Sequence, residues 1–349
     1  MVDNTYEGLA DALSRLPNGF TRTTSGIELL ILKRIFSPEE AWLAGSLSIK
    51  REPVADIARR LGLREEDLEP RLVAMAQRGL LWSDRREGKR RFRLAPFMVG
   101  IYEAQLESLD HEFAHLVEDY FDQGGLVDIM KPQPAIHRVI PAQKAVKSEW
   151  ILPYDDVKAV LMNSKAFHVV DCICRKQQDL LGRKCTFPIH VCLSFSSNER
   201  PQRPGDITRE EALALLDKTE ETGLVHTVSN VMTGYGYVCN CCGCCCGVLR
   251  GITEYGIENS VAHANYYATI DPDTCIGCGV CEKRCQVKAI TMQKGTATIN
   301  QEQCIGCGLC ATGCPTGAAQ LKPKPRERII PPPLDYETWE QERLHNRGP

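Results

Sequence analysis

Between Cys275 and Ala319 the chain reads CIGCGVCEKRCQVKAI, then a short spacer, then CIGCGLCATGCPTGAA. Each half carries cysteines in the order C-x2-C-x2-C-x3-C, and the unit repeats after 29 residues, from Cys275 to Cys304. Three thiolates spaced by two residues can wrap one iron–sulfur cubane, while the fourth, trailing cysteine turns toward a second one. By that logic Cys275, Cys278, Cys281 and the distant Cys314 form one ligand set, and Cys304, Cys307, Cys310 and Cys285 form the other. The chemistry implied is one-electron redox at two [4Fe–4S] clusters.

Zinc is the alternative to weigh. Structural zinc takes four ligands, commonly two C-x2-C pairs roughly 15–20 residues apart, and this segment has too many thiols at another spacing. Glycines at 277, 279, 306 and 308 accept positive φ and bring backbone N–H groups toward the sulfurs. Over residues 264–322 the segment resembles the two-cluster bacterial ferredoxins, including Pro315 after Cys314. It departs from them at Gln286, where proline is usual, which leaves the ligands intact and alters only the local turn. The resemblance implies a pseudo-twofold α+β fold and electron transfer at low potential. It also implies a strand pair at Ala268–Ile270 and Ala319–Leu321, and a Thr291–Ile299 hairpin turning at Lys294–Gly295.

A second set of thiols lies upstream: Cys172, Cys174, Cys185 and Cys192, then Cys239, Cys241, Cys242, Cys244, Cys245 and Cys246 in CNCCGCCC. Six cysteines in eight positions leave no room for packing side chains. Thiolates this dense select iron–sulfur, zinc or copper(I), and thiol redox chemistry is the remaining reading. One or two further iron–sulfur clusters are expected here. The natural partition gives the first four cysteines one cluster and four of the last six another, with sharing across the groups equally open. Arg175, Lys176, Arg183, Lys184 and Arg250 can offset cluster charge or serve as plain surface charge. His168, His190 and His226 are nearby, but a lone histidine is more often a satisfied neighbour than a ligand. The stretch resembles uncharacterised iron–sulfur proteins that pair such a module with a ferredoxin unit, a resemblance that implies no activity.

A length of 349 residues, with 25% charged residues and a net charge of −3, describes an ordinary globular chain with no global pull toward nucleic acid or lipid. No export signal opens the sequence, and no apolar run approaches a membrane span. The expected setting is the cytoplasm of a low-oxygen cell, where eighteen cysteines imply metal rather than disulfides.

The elements that must position these residues read as α+β and multidomain: a winged helix-turn-helix at the N-terminus, a central Cys-rich α/β module, and a ferredoxin-like domain. The boundaries predicted are an arm at 1–25, the winged helix at 26–95, a long helix and connector at 96–150, the Cys-rich domain at 151–255, the ferredoxin domain at 264–322 and a Pro-rich tail at 323–349. Ser37-Pro38-Glu39-Glu40 is a helix start with a capping box. Helices at Pro53–Leu61 and Glu65–Arg78 end at Gly62 and Gly79, and wing strands at Leu80–Trp82 and Phe92–Leu94 flank a basic loop. In helix-turn-helix proteins the first turn of the recognition helix meets DNA. Here that turn holds Glu65, Glu66, Asp67 and Glu69, which phosphates repel. The basic wing (Arg85, Arg86, Lys89, Arg90, Arg91, Arg93) points the other way, and the acidic helix decides against DNA.

Phe97–Phe121 is expected as one long helix carrying His111-Glu112-Phe113-Ala114-His115, a literal metalloprotease signature. Both histidines fall opposite the apolar face and no third ligand is evident, so the zinc reading is declined. The tail KPKPRERIIPPPLDYETWEQERLHNRGP makes an extended strap and a short helix bearing Trp339, expected either to wrap its own protein or, slightly favoured, to dock on another. Neither a dinucleotide fingerprint nor a P-loop is present, and no catalytic residue is assigned. The function expected is single-electron relay to or from a partner oxidoreductase. The alternatives are a redox-sensing winged-helix regulator and an oxidoreductase whose Cys-rich cluster binds substrate.

Overall fold

The computed structural model describes residues 2–347; Met1 at the start of the arm and Gly348 and Pro349 at the end of the tail lie outside the described residues. The chain divides into two compact units, one built from residues up to Ile129 with Asp179–Arg183, the other from Met130–Gln178 with Lys184–Arg347. Mixed helix and strand content fits the α+β class.

In the first unit, helices Val2–Ser14, Ile27–Ile35 and Pro38–Gly45 precede β1 (Glu52–Pro53). Ser37 and Glu40 form the expected reciprocal capping box. Helices Val54–Leu61 and Glu65–Gln77 follow, then β2 (Leu81–Arg86) and β3 (Lys89–Leu94). Gly62 ends the first of these helices in the left-handed conformation, a geometry that costs any residue with a Cβ. The three strands form an antiparallel sheet in the order β1-β3-β2. The hairpin is longer than expected from the sequence. Glu87 and Gly88 both take positive φ, making a two-residue turn whose twist matches the strands, so pairing runs out to Arg86 and Lys89.

The long helix expected over Phe97–Phe121 is not formed. Residues 97–105 make short irregular turns with extended backbone at Met98 and Val99. The helix begins only at His111, where the Asp110 side chain accepts from the Phe113 N–H at 2.9 Å. The apolar residues before it are used otherwise: Phe97 packs on Phe20 and edge-on against Tyr120, at centroid distances of 5.0 and 5.9 Å. Leu9, Leu13 and Phe20 are buried, so the N-terminal segment is core rather than arm.

The second unit is organised by a seven-stranded sheet. Its strands are β4 (His137–Ile140), β5 (Ala166–Asp171), β6 (His190–Ser196), β7 (Asp206–Ile207), β8 (Val225–Ser229), β9 (Tyr237–Cys241) and β10 (Val261–Ala262), in the order β10-β4-β8-β9-β6-β5-β7. Only the β10–β4 pair is parallel. Beyond it β11 (Tyr266–Ile270) pairs antiparallel with β14 (Ala319–Pro323), and β12 (Ile290–Gln293) with β13 (Thr296–Ile299) across a Lys294–Gly295 turn. These are the strand pair and hairpin that the ferredoxin resemblance implies.

The tail does not project. Met232 N–H donates to the Pro333 carbonyl at 2.8 Å, Trp339 is buried with its Nε1 donating to the Ala135 carbonyl at 2.9 Å, and Arg343 is fully buried, donating to the Pro134 carbonyl at 2.7 Å. It wraps its own unit, so the docking expectation is corrected. An apolar indole and a long cation stem find more area to cover on the sheet's flank than in water.

Candidate metal centres

The two ferredoxin-type ligand sets come together around two separate spaces. Cys275, Cys278, Cys281 and Cys314 line one space with Ile270, Met292 and Ala297. Cys285, Cys304, Cys307 and Cys310 line another with Val287, Ile290 and Leu309. Each space therefore takes three cysteines from one half of the repeat and the trailing cysteine of the other. The loops that present them need their glycines. Gly277 and Gly306 have φ of +68° and +70°, and a Cβ on either would sit 2.3–2.4 Å from a backbone oxygen, of Gly295 and Tyr266 respectively.

Backbone donors reach two sulfurs. Ala289 N–H lies 3.1 Å from Cys285 Sγ, and Ala319 N–H lies 3.3 Å from Cys314 Sγ. At Cys314 burial would raise the thiol pKa, but N–H donors and the Thr316 hydroxyl win and hold it below its usual value. Burial pushes Cys307 up, and burial with its neighbours Cys304 and Cys285 pushes Cys310 up to about 12. Such thiols hold their protons until a metal displaces them.

The ten upstream thiols sort into four and six. Cys185, Cys242, Cys244 and Cys245 have sulfurs all within 4.8 Å of one another. The other six close a ring. Cys172 neighbours Cys174 and Cys192; Cys174 meets Cys246, whose sulfur lies 3.4 Å from that of Cys241. Cys241 meets Cys239, and Cys239 meets Cys192. Of the two partitions left open by the sequence, the structure has the one that mixes the segments, with Cys185 apart from Cys172, Cys174 and Cys192. The reason is β-structure. Along β9 Cys239 and Cys241 share one side at period two, while Cys242 begins the turn that carries Cys244 and Cys245 away.

Asn240, between two ligating candidates, locks that strand. Its Nδ2 donates to the Val191 carbonyl at 2.6 Å, and its Oδ1 accepts from Thr219 and from His226 Nδ1. Arg175, 4% exposed, donates from Nη2 to the Asn240 carbonyl, and its Nε and Nη1 are buried without an acceptor. Burial opposes its charge, and the sulfurs of Cys172, Cys242 and Cys241 outweigh that. A buried cation with unspent donors beside ten thiols fits an anionic metal–thiolate centre. Arg183 and Arg250 bond Glu118 and Glu254 instead. His168, His190 and His226 are engaged with Asp206, Asp171 and Asn240. His111 and His115 stand exposed, their rings 4.5 Å apart, and no third ligand joins them among the described residues.

The ferredoxin segment and the thiol loop meet at Gln286. Its Oε1 accepts from Gly243 N–H and its Nε2 donates to the Gly223 carbonyl, both at 2.8 Å. A Cβ on Gly243 would lie 1.9 Å from the Gln286 carbonyl oxygen. Two residues earlier, Arg284 donates to the carbonyls of Glu220 and Glu221 at the end of helix Arg209–Thr222. The departure from proline at 286 was visible in the sequence, but its clamp on Gly243 was not, because the partner lies 43 residues away.

A family model described as a 4Fe-4S dicluster domain matches residues 268–321. No curated protein and no solved structure matched the chain. The dicluster match and the clustered thiols together support an iron–sulfur protein with a general electron-transfer role. Among the described residues no helix is long and apolar enough to cross a membrane.

Proposed function

We propose that the chain relays single electrons between an external redox protein and its own Cys-rich centre, with a winged-helix domain as a docking or structural element. When bound, [4Fe–4S] clusters supply the one-electron chemistry; the protein supplies ligands, order and access. Cys275, Cys278, Cys281 and Cys314 would hold the outer cluster, and Cys285, Cys304, Cys307 and Cys310 the inner one. The carrying observation is the graded exposure of these sets. Cys278 of the outer set is exposed beside Ile276, which is 67% exposed, whereas all four inner cysteines are buried or half-buried and the Cys307 carbonyl accepts from Ala142 N–H. The inner set continues through Cys285 and Gln286 to Gly243, between Cys242 and Cys244. An apolar exposed residue beside a solvent-facing ligand suits a transient redox partner.

The oxidoreductase reading is kept on one observation, the ring of six thiols beside Arg175, which offers more ligands than a cubane takes. The regulator reading loses ground. Of the basic wing, Arg91 is held by Asp84 at 2.7 and 2.8 Å, and Arg93 is buried over the Trp82 ring. The deciding experiment is iron and sulfide content of anaerobically purified protein, with paramagnetic resonance after dithionite reduction. Two interacting [4Fe–4S] signals are expected; a colourless, zinc-loaded protein that still folds sinks the proposal.

A further inference from the structure

We propose that Cys185, Cys242, Cys244 and Cys245 hold a single tetrahedral metal ion without bridging sulfide, a tetrathiolate site for zinc or ferrous iron, separate from the centre inside the six-thiol ring.

Sulfur spacing carries the assignment. A tetrahedron with metal–sulfur bonds of about 2.3 Å has S···S edges of about 3.8 Å. The Cys244 and Cys245 sulfurs are 3.7 Å apart, and all four sulfurs fall within 4.8 Å of one another. In a cubane each thiolate extends outward from a different iron, so its four ligand sulfurs stand well beyond that edge. Among the described residues no other set of three or more metal-binding side chains is as compact, and the ferredoxin-type quartets are spread around their cavities instead. There is room for one ion between these four sulfurs and for little else.

The surroundings agree. Cys242 and Cys245 are anchored on a small core with Val191 and Leu224, and Phe187 and Leu215 pack against it. Cys185 comes from the loop between helix Ile173–Leu180 and β6, and Cys244 is at the surface. One ion would therefore tie that loop to the turn that receives Gln286. Four thiols lose their protons on binding a divalent ion, which leaves a net charge of −2. Arg175 lies beside Cys242 with two buried N–H groups that have no other acceptor, and a doubly negative tetrathiolate answers that need. All four positions are filled by protein, as in structural rather than catalytic sites.

The test uses the full chain purified without air. Metal analysis of the wild type against Cys185→Ser/Cys244→Ser should show the variant lacking one zinc per chain, or one iron with no accompanying sulfide. If the ion is iron, mild oxidation of the wild type gives the isolated high-spin ferric tetrathiolate spectrum, absent from the variant. The reduced [4Fe–4S] signals should persist in both, which separates this assignment from the electron-relay reading. Since the double variant could fail to fold, Cys244→His provides a second arm: three thiolates and one imidazole still suit zinc, so metal content should be retained. Loss of about four irons with matching sulfide in the double variant would overturn the proposal in favour of a cubane. Unchanged metal content, or disulfides among these cysteines in the anaerobic wild type, would overturn it as well.

Discussion

Gly306 shows how much a single Cβ can decide. Its φ of +70° and the Tyr266 carbonyl lying where a side chain would begin leave no substitute that keeps the Cys304–Cys310 loop in place. Gly306→Ala should cost about 1–3 kcal/mol of backbone strain before the clash is counted. Anaerobic iron analysis should find the inner cluster's share of iron missing and the outer cluster's resonance signal uncoupled. His137 shows a different kind of constraint. Tyr336 donates to Ser229, Ser229 to Tyr237, and the Tyr237 hydroxyl pairs with His137 Nε2 at 2.7 Å. Burial lowers the His137 pKa to about 4. The unfolded chain takes up that proton near pH 6.5, so this contribution is complete above 6.5 and is lost as pH falls toward 4, at about 1.4 kcal/mol per pH unit. Acid unfolding followed by tryptophan fluorescence should be steep across that window, and His137→Gln should flatten it.

Among the elements, the segment from Arg284 to Gln286 couples the ferredoxin fold to the thiol loop. Arginine at a helix C-terminus meets carbonyls that have no partner inside the helix, and Gln286 adds a donor and an acceptor where proline could offer neither. Gln286→Ala should leave both ferredoxin-type clusters in place. Hydrogen exchange at the Gly243 amide should nevertheless quicken by about tenfold, the worth of one lost hydrogen bond. An unchanged exchange rate would mean the junction is held by the Gly243–Gln286 backbone contact alone. The hairpin β2–β3 makes the same point for the first unit. Its turn of two positive-φ residues extends the pairing, within which half-buried Arg91 is held by Asp84 and Arg93 is buried.

At the level of the whole molecule, exposure orders the centres. The outer quartet includes a solvent-exposed ligand, and the inner one packs against helix ends and the thiol loop. Iron release to a chelator after brief exposure to air should therefore be biphasic, and Cys278→Ala should remove the fast phase while sparing the slow one. A single phase would mean that the two sets are equally accessible. What the sequence determined by itself was local: a C-x2-C-x2-C-x3-C run fixes which sulfurs can share a cubane, because three of the four lie within one tight loop, and Ser37 with Glu40 fixes a helix start within four residues. The grouping of the upstream thiols was decided by tertiary structure alone. Cys185 joins Cys242, Cys244 and Cys245, and Cys192 joins Cys239, because a strand faces its alternate residues to opposite sides and the order β9-β6-β5 sets which segments are neighbours. Spacing along the chain carries no record of that order, nor of Gln286 and Gly243 meeting, since both depend on which surfaces the sheet and its covering helices bring together.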